Sequence, residues 1–127
     1  MFYTAFGTSD STATDAWVFG LLQNSSVRSN LAVVNAGDAS DVITYQYEIF
    51  DGESGRLAAT KGPFTLDPLG WKQFNGVLDT TGVSNGYVHV VKLSGASRLI
   101  AYGAVNDGAT ANSGATNDGS FIAFSNR

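Results

Sequence analysis

Cysteine is absent from this 127-residue chain. Disulfides, thiol catalysis and thiolate metal sites are excluded with it. Histidine occurs once, at His89, and methionine once. Charge is sparse: 14 % of the residues are charged, against roughly 25 % in an ordinary globular domain. The 7 basic residues form no run, and 11 acidic residues leave a net charge of −4. A nucleic-acid surface needs clustered cations to displace counterions. Neither nucleic acid nor an anionic membrane surface is therefore an expected partner. No apolar run reaches the roughly 18 to 20 residues that span a bilayer, so membrane insertion is not expected. Met1-Phe2-Tyr3 has neither a basic n-region nor an apolar h-region, so no signal peptide is expected in this stretch. Proline occurs only at Pro63 and Pro68, and no segment carries helical periodicity.

What remains is rich in small and aromatic residues. Hydrophobic residues make up 43 % and aromatic residues 12 %, with 15 glycines. A chain of this length reads as one domain, residues 1–127, able to hold a core without covalent staples.

Short apolar runs alternate with Gly/Asp/Asn turns throughout. The clearest run is residues 42–50, where Ile43, Tyr45, Tyr47 and Ile49 share one face and Thr44, Gln46 and Glu48 the other. This period of two marks a strand with one face on a core and one in water. Residues 31–35 precede it, and the link 36–41 has hairpin length. Asp51-Gly52-Glu53-Ser54-Gly55 reads as a second hairpin turn. Residues 2–6 (FYTAF) read as an edge strand, followed by a flexible polar segment to residue 15. Residues 16–23 (AWVFGLLQ) read as a buried strand with a bulge at Gly20. Pro63 and Pro68 confine the strand between them to an edge or a crossing between sheets. A strand over residues 71–78 is expected to break at Asn75-Gly76, and residues 87–93 and 98–105 read as a hairpin about 94–97. Residues 106–120 form a long Gly/Asn/Asp loop before a last strand, 121–124 (FIAF). Strands near ten-residue spacing predict an antiparallel sandwich or barrel. Uneven strand lengths, and runs apolar on both faces, favour the sandwich of about 7–9 strands.

The segments RSNLAVVN, FDGESG, GWKQFN, GYVHVV, AYGAVNDG and NDGSFI resemble immunoglobulin-like modules of large exported bacterial proteins. The likeness covers nearly the whole chain from about Trp17. It implies an immunoglobulin-like antiparallel β-sandwich, secreted or at the cell surface, in a family without assigned activity. It carries over no site residues. The Cys…Trp…Cys hallmark of antibody domains is absent, so the likeness is one of architecture.

Candidate chemistry is thin. Residues 82–86 match G-x-S-x-G around Ser84, but a strand follows the motif where a hydrolase needs a helix. His89 is five positions along that strand, roughly 15 Å away if extended, so the motif reads as a hairpin turn. His89 as a metal ligand would need carboxylate partners; it reads as a half-buried strand residue. Glu48 has no visible partner for the paired-carboxylate chemistry of a glycosidase and reads as a solvated strand residue. The other acids, among them Asp38, Asp41, Asp51, Glu53, Asp107 and Asp118, fall in turns. Asn106-Asp107-Gly108 and Asn117-Asp118-Gly119 echo one another across the long loop. They read as Asx-type turns, with a calcium site on Asp107 and Asp118 as the alternative; no other cofactor is expected. Asn24-Ser25-Ser26 fits the N-glycosylation pattern, which matters only in a glycosylating host.

Aromatic rings are the remaining candidates for binding. Trp17, Trp71, Tyr87 and Tyr102 would make a sugar-stacking platform if exposed, although large rings in sandwiches mostly fill the core. The expectation is a non-catalytic structural or adhesive module whose partner is another protein or other copies of itself. Its terminal runs FYTAF and FIAF are candidate exposed edges. The alternative is a carbohydrate-binding module that uses those four rings on a polysaccharide.

Overall fold

The computed structural model of the chain describes residues 11–25, 27–37, 41–107, 119–122 and 124–125. Among them are nine strands: β1 (Asp15–Leu22), β2 (Val27–Asn35), β3 (Ile43–Asp51), β4 (Leu57–Leu66), β5 (Trp71–Phe74), β6 (Asn85–Ser94), β7 (Leu99–Asp107), β8 (Gly119–Ile122) and β9 (Phe124–Ser125). One sheet has the order β4-β3-β6-β1-β9 and the other β5-β2-β7-β8. Every pairing is antiparallel. Among the described residues no helix is long and apolar enough to cross a membrane.

The period-two pattern decides which side chains meet. Ile43, Tyr45, Tyr47 and Ile49 of β3 are buried, and they join Val18 and Leu21 of β1 and Val88 and Val90 of β6. Leu31 and Val33 of β2 and Leu99 and Ala101 of β7 face them from the other sheet. Burying each Leu, Ile or Val side chain contributes about 1.5 to 3 kcal/mol. Val77, Leu78 and Val83, from the long link after β5, complete the cluster. The sheets approach most closely where β7 passes β1: a Cβ on Gly103 would stand 2.8 Å from Leu21 Cδ2 and 2.9 Å from Val18 Cγ1. Glycine is required there by space.

The expected bulge in β1 is present. Val18 pairs with Val88 but Leu21 pairs with Gly86, so β1 spends one residue more than β6 between those points. Gly20 carries the positive φ of 80° that this needs. Phe19 keeps the outward phase of Trp17, and the extra residue returns Leu21 to the core. β4 is an edge strand, one of the two places that its Pro63 permits. The turn 51–55 joins β3 to β4 as a hairpin, closed by Asp51 N–H to Arg56 O at 2.9 Å.

Three expected hairpins are not hairpins. β2 and β3 lie in different sheets, so the link 36–41 is an arch across the sandwich. Buried Asn35 anchors it: Nδ2 donates to Leu66 O at 3.2 Å and to Asp41 O at 3.3 Å, and Oδ1 accepts from Gly37 N at 3.1 Å. β6 and β7 likewise lie in different sheets, so 94–97 is a second arch. The Asp41 carboxylate holds it by accepting from the backbone of Ala96 and Ser97 and from Ser97 Oγ. Residues 82–84 end the link that carries the chain from β5 across to β6, and Asn85 and Gly86 already belong to β6. β5 ends at Phe74, because Gly76 N–H turns to Asn30 Oδ1 at 2.9 Å. The FIAF run is divided: β8 forms one edge of the four-stranded sheet and β9 one edge of the five-stranded sheet. Residues 2–6 lie outside the described residues. Of the long loop, its first and last residues belong to β7 and β8, and 108–118 lie outside the described residues.

Candidate binding faces

The outer face of the five-stranded sheet carries an aromatic cluster. Trp17 and Phe19 project from β1, Phe50 from β3 and Tyr87 from β6. Each lies on the strand phase opposite to the core residues. Phe50 pairs directly with Tyr87 and with Leu57, so the row runs across four strands from Leu57 to Phe19. Phe50 and Tyr87 stack at 5.1 Å and 9°. Trp17 lies 5.9 Å from Phe50 and 6.0 Å from Tyr87, and Phe19 lies 5.5 Å from Tyr87. These separations fall within the favourable range for ring pairs. Phe19 is 47 % exposed and Leu57 52 %, so the row is an apolar stripe at the surface.

Beside the stripe three strands bring together a histidine and two carboxylates. His89 Nε2 stands 2.6 Å from Asp15 Oδ2 and Nδ1 stands 3.0 Å from Glu48 Oε1. Trp17 covers the imidazole face at 3.9 Å and 8°. The hydrogen bond with His89 holds the Asp15 carboxyl below its ordinary value, against a smaller opposing effect of burial. A neutral ring donates to one of the two carboxylates and an imidazolium to both. Glu48, expected as a solvated strand residue, is half-buried against the His89 ring. Both ring nitrogens are occupied by different carboxylates, so neither is left to ligate a metal or to activate Ser84. Among the described residues no group of three His, Asp or Glu side chains is arranged to hold a metal ion.

The four expected ring residues therefore divide into two pairs on opposite faces. Trp17 and Tyr87 belong to the stripe. Trp71 and Tyr102 lie on the outer face of the four-stranded sheet, where Trp71 Nε1 donates to Tyr102 Oη at 3.2 Å. They flank β2, where Trp71 pairs with Val34 and Tyr102 with Ala32, and Trp71 is 55 % exposed. Asp107 is the last residue of β7, and Asp118 lies outside the described residues.

No family model, curated protein or solved structure matches the chain. The two faces are therefore read from their own chemistry.

Phe19, Phe50, Asp15 and Glu48 were not among the expected binding residues. Phe50 had a signal: it continues the phase of Thr44, Gln46 and Glu48, an aromatic ring on the polar side of an alternating strand. Phe19 shares the period-two phase of Trp17. The histidine and its carboxylates had none, since Asp15 is 74 positions and Glu48 41 positions from His89.

Proposed function

We propose that this domain is a non-catalytic adhesive or structural module of an exported bacterial protein, and that its contact surface is the aromatic stripe of the five-stranded sheet. The stripe carries the reading. Contiguous exposed apolar surface is a mark of protein contact sites, and aromatic residues are enriched in their centres. The rings pack against one another, two pairs stacked and three tilted, so they form one continuous ridge and not the single flat open face that sugar stacking needs. A ridge on a twisted sheet suits the equivalent face of another copy, or of a neighbouring module of the same kind, better than it suits a glycan.

The strand order supports an immunoglobulin-like reading in its centre. In that arrangement strands B and E pair in one sheet and C and F in the other. β2 with β5, and β3 with β6, stand in those places. β1 beside β6 and β7 beside β2 reverse the places of the first and last strands. The likeness is thus to the four central strands, with the outer two exchanged between sheets.

Sedimentation equilibrium tests the contact surface. The wild-type chain is expected to self-associate with rising concentration, and Phe19→Ser or Leu57→Ser to remain monomeric with an unchanged melting temperature. A wild-type chain that stays monomeric at millimolar concentration would contradict the reading.

A second reading has its own observation. Trp71 is the most exposed of the candidate rings described and is fixed by Tyr102. This pair is the place for a carbohydrate platform. It predicts retention on an insoluble polysaccharide that Trp71→Ala abolishes without unfolding.

A further inference from the structure

One side of the sandwich is open between β4 and β5, the end strands of their sheets. Lys61 pairs with Tyr47 and Lys72 with Val33, both buried core residues. Both lysines therefore leave their strands on the core-facing phase, toward the opening. Its floor is aromatic: Phe64 lies 5.8 Å from Tyr47, and Phe74 lies 4.9 Å from each of them. The opening has a volume of about 430 Å3 and is walled also by Gln73, Asn75 and Asp79. That volume lies within the range of ligand sites, roughly 300 to 1,000 Å3.

Among the described residues the ion pairs are the two at His89. Neither Lys61 nor Lys72 is matched by a carboxylate; Lys72 Nζ lies instead over the Phe74 ring at 5.6 Å. In a chain of net charge −4, two unmatched ammonium groups at one opening are a local reversal of sign. Inward charges on edge strands also deter edge-to-edge pairing. That role explains a lysine on each edge, but not a shared aromatic floor with amides beside it.

We infer that this opening binds the carboxylate-bearing residue of an acidic saccharide, a uronic acid. The carboxylate sits between the ammonium groups of Lys61 and Lys72. The sugar ring's C–H edges rest on Phe64 and Phe74. Hydroxyls are met by the amides of Gln73 and Asn75 and donate to Asp79. An acidic peptide strand is disfavoured by the edge itself. Pro63 has no N–H, and the β3–β4 register shifts between Tyr45 and Tyr47, beside the opening. A ladder cannot be extended through that point.

Calorimetric titration with an oligogalacturonate, its fully methyl-esterified counterpart and a glutamate hexapeptide tests this. The oligogalacturonate is expected to bind and to weaken severalfold as salt is raised. Lys61→Gln and Lys72→Gln are each expected to lose about tenfold in affinity, the size of one charge-assisted contact. Absence of binding, equal binding of the neutral ester, equal binding of the hexapeptide, or unchanged affinity in both variants would overturn the assignment. Should a variant aggregate, chemical-shift mapping on the wild-type chain decides. Perturbed amides at 61–64 and 72–75 support the site, and perturbation confined elsewhere refutes it. The result is independent of the self-association described above, which is read as molecular mass without ligand.

Discussion

The indole of Trp17 lies flat on the imidazole of His89, with 3.9 Å between centroids and 8° between planes. The two residues are direct cross-strand partners on β1 and β6. The same imidazole bridges carboxylates on β1 and β3. The polar tie and the aromatic stripe thus meet at this contact, and the tie holds in place the indole that touches Phe19, Phe50 and Tyr87.

That contact is measurable. A double-mutant cycle on Trp17→Ala and His89→Ala is expected to give a coupling of about 0.5 to 1.5 kcal/mol in urea denaturation, beyond the separate costs of the two truncations. Additive effects would mean that the stacking does not hold the stripe in place.

Gly103 tests the close approach of the sheets. Gly103→Ala places a methyl group 2.8 Å from Leu21 Cδ2, and the core must open or Leu21 must leave its rotamer. The expected cost is about 1 to 3 kcal/mol, read as a lower melting temperature. Leu21→Ala on the same background should recover part of the overpacking while adding its own cavity cost. An unaltered melting temperature in Gly103→Ala would show that the sheets stand further apart.

Tyr45 offers a test of opposite sign. Its ring is fully buried, and among the described residues its hydroxyl has no hydrogen-bond partner. Burial raises the phenol well above its ordinary value, with the neighbouring Tyr47 adding to the shift, and burial raises Tyr47 as well. Removing an unpaired buried hydroxyl relieves a desolvation cost, so Tyr45→Phe is expected to stabilise the domain by about 1 kcal/mol. The raised phenols give a stability that is full below the ordinary tyrosine value of 10.0 and declines as pH rises beyond it. Tyr45→Phe should soften that alkaline loss. A destabilised variant would reveal a partner for the hydroxyl.

Asp41 governs the acid limb. Hydrogen bonds from Ser97 Oγ, and then from the backbone of Ala96 and Ser97, hold its carboxyl below the ordinary 3.8. A depressed carboxyl contributes stability that is present above the unfolded value and lost as pH falls through the folded one. Asp41→Asn should therefore be less stable than wild type near neutral pH, and the gap should close as pH falls below that ordinary value. A gap independent of pH would assign the effect to shape and not to charge.

The strands and their inward residues were legible because period two is local. Ile43, Tyr45, Tyr47 and Ile49 announce their face without reference to any other strand. The sheet to which a strand belongs is not local. A link such as 36–41 closes a hairpin or crosses the roughly 10 Å between sheets with equal ease, and buried Asn35, which selects the crossing, looks like an ordinary turn residue in sequence. The binding faces were legible by half for the same reason. Trp17 and Tyr87 could be named as rings, but only the β1–β6 and β3–β6 registers bring Asp15, Glu48 and Phe50 beside them. Lys61 and Lys72 are isolated charges until two edge strands place them at one opening.

The two tryptophans stand on opposite faces of the sandwich, which makes them separate reporters of the contact surface. Indole N–H resonances of a nitrogen-labelled chain, followed from micromolar to millimolar concentration, test the central claim most directly. The account predicts that the Trp17 resonance shifts with concentration while that of Trp71 stays fixed. A shift of Trp71 alone, or of neither, would contradict it.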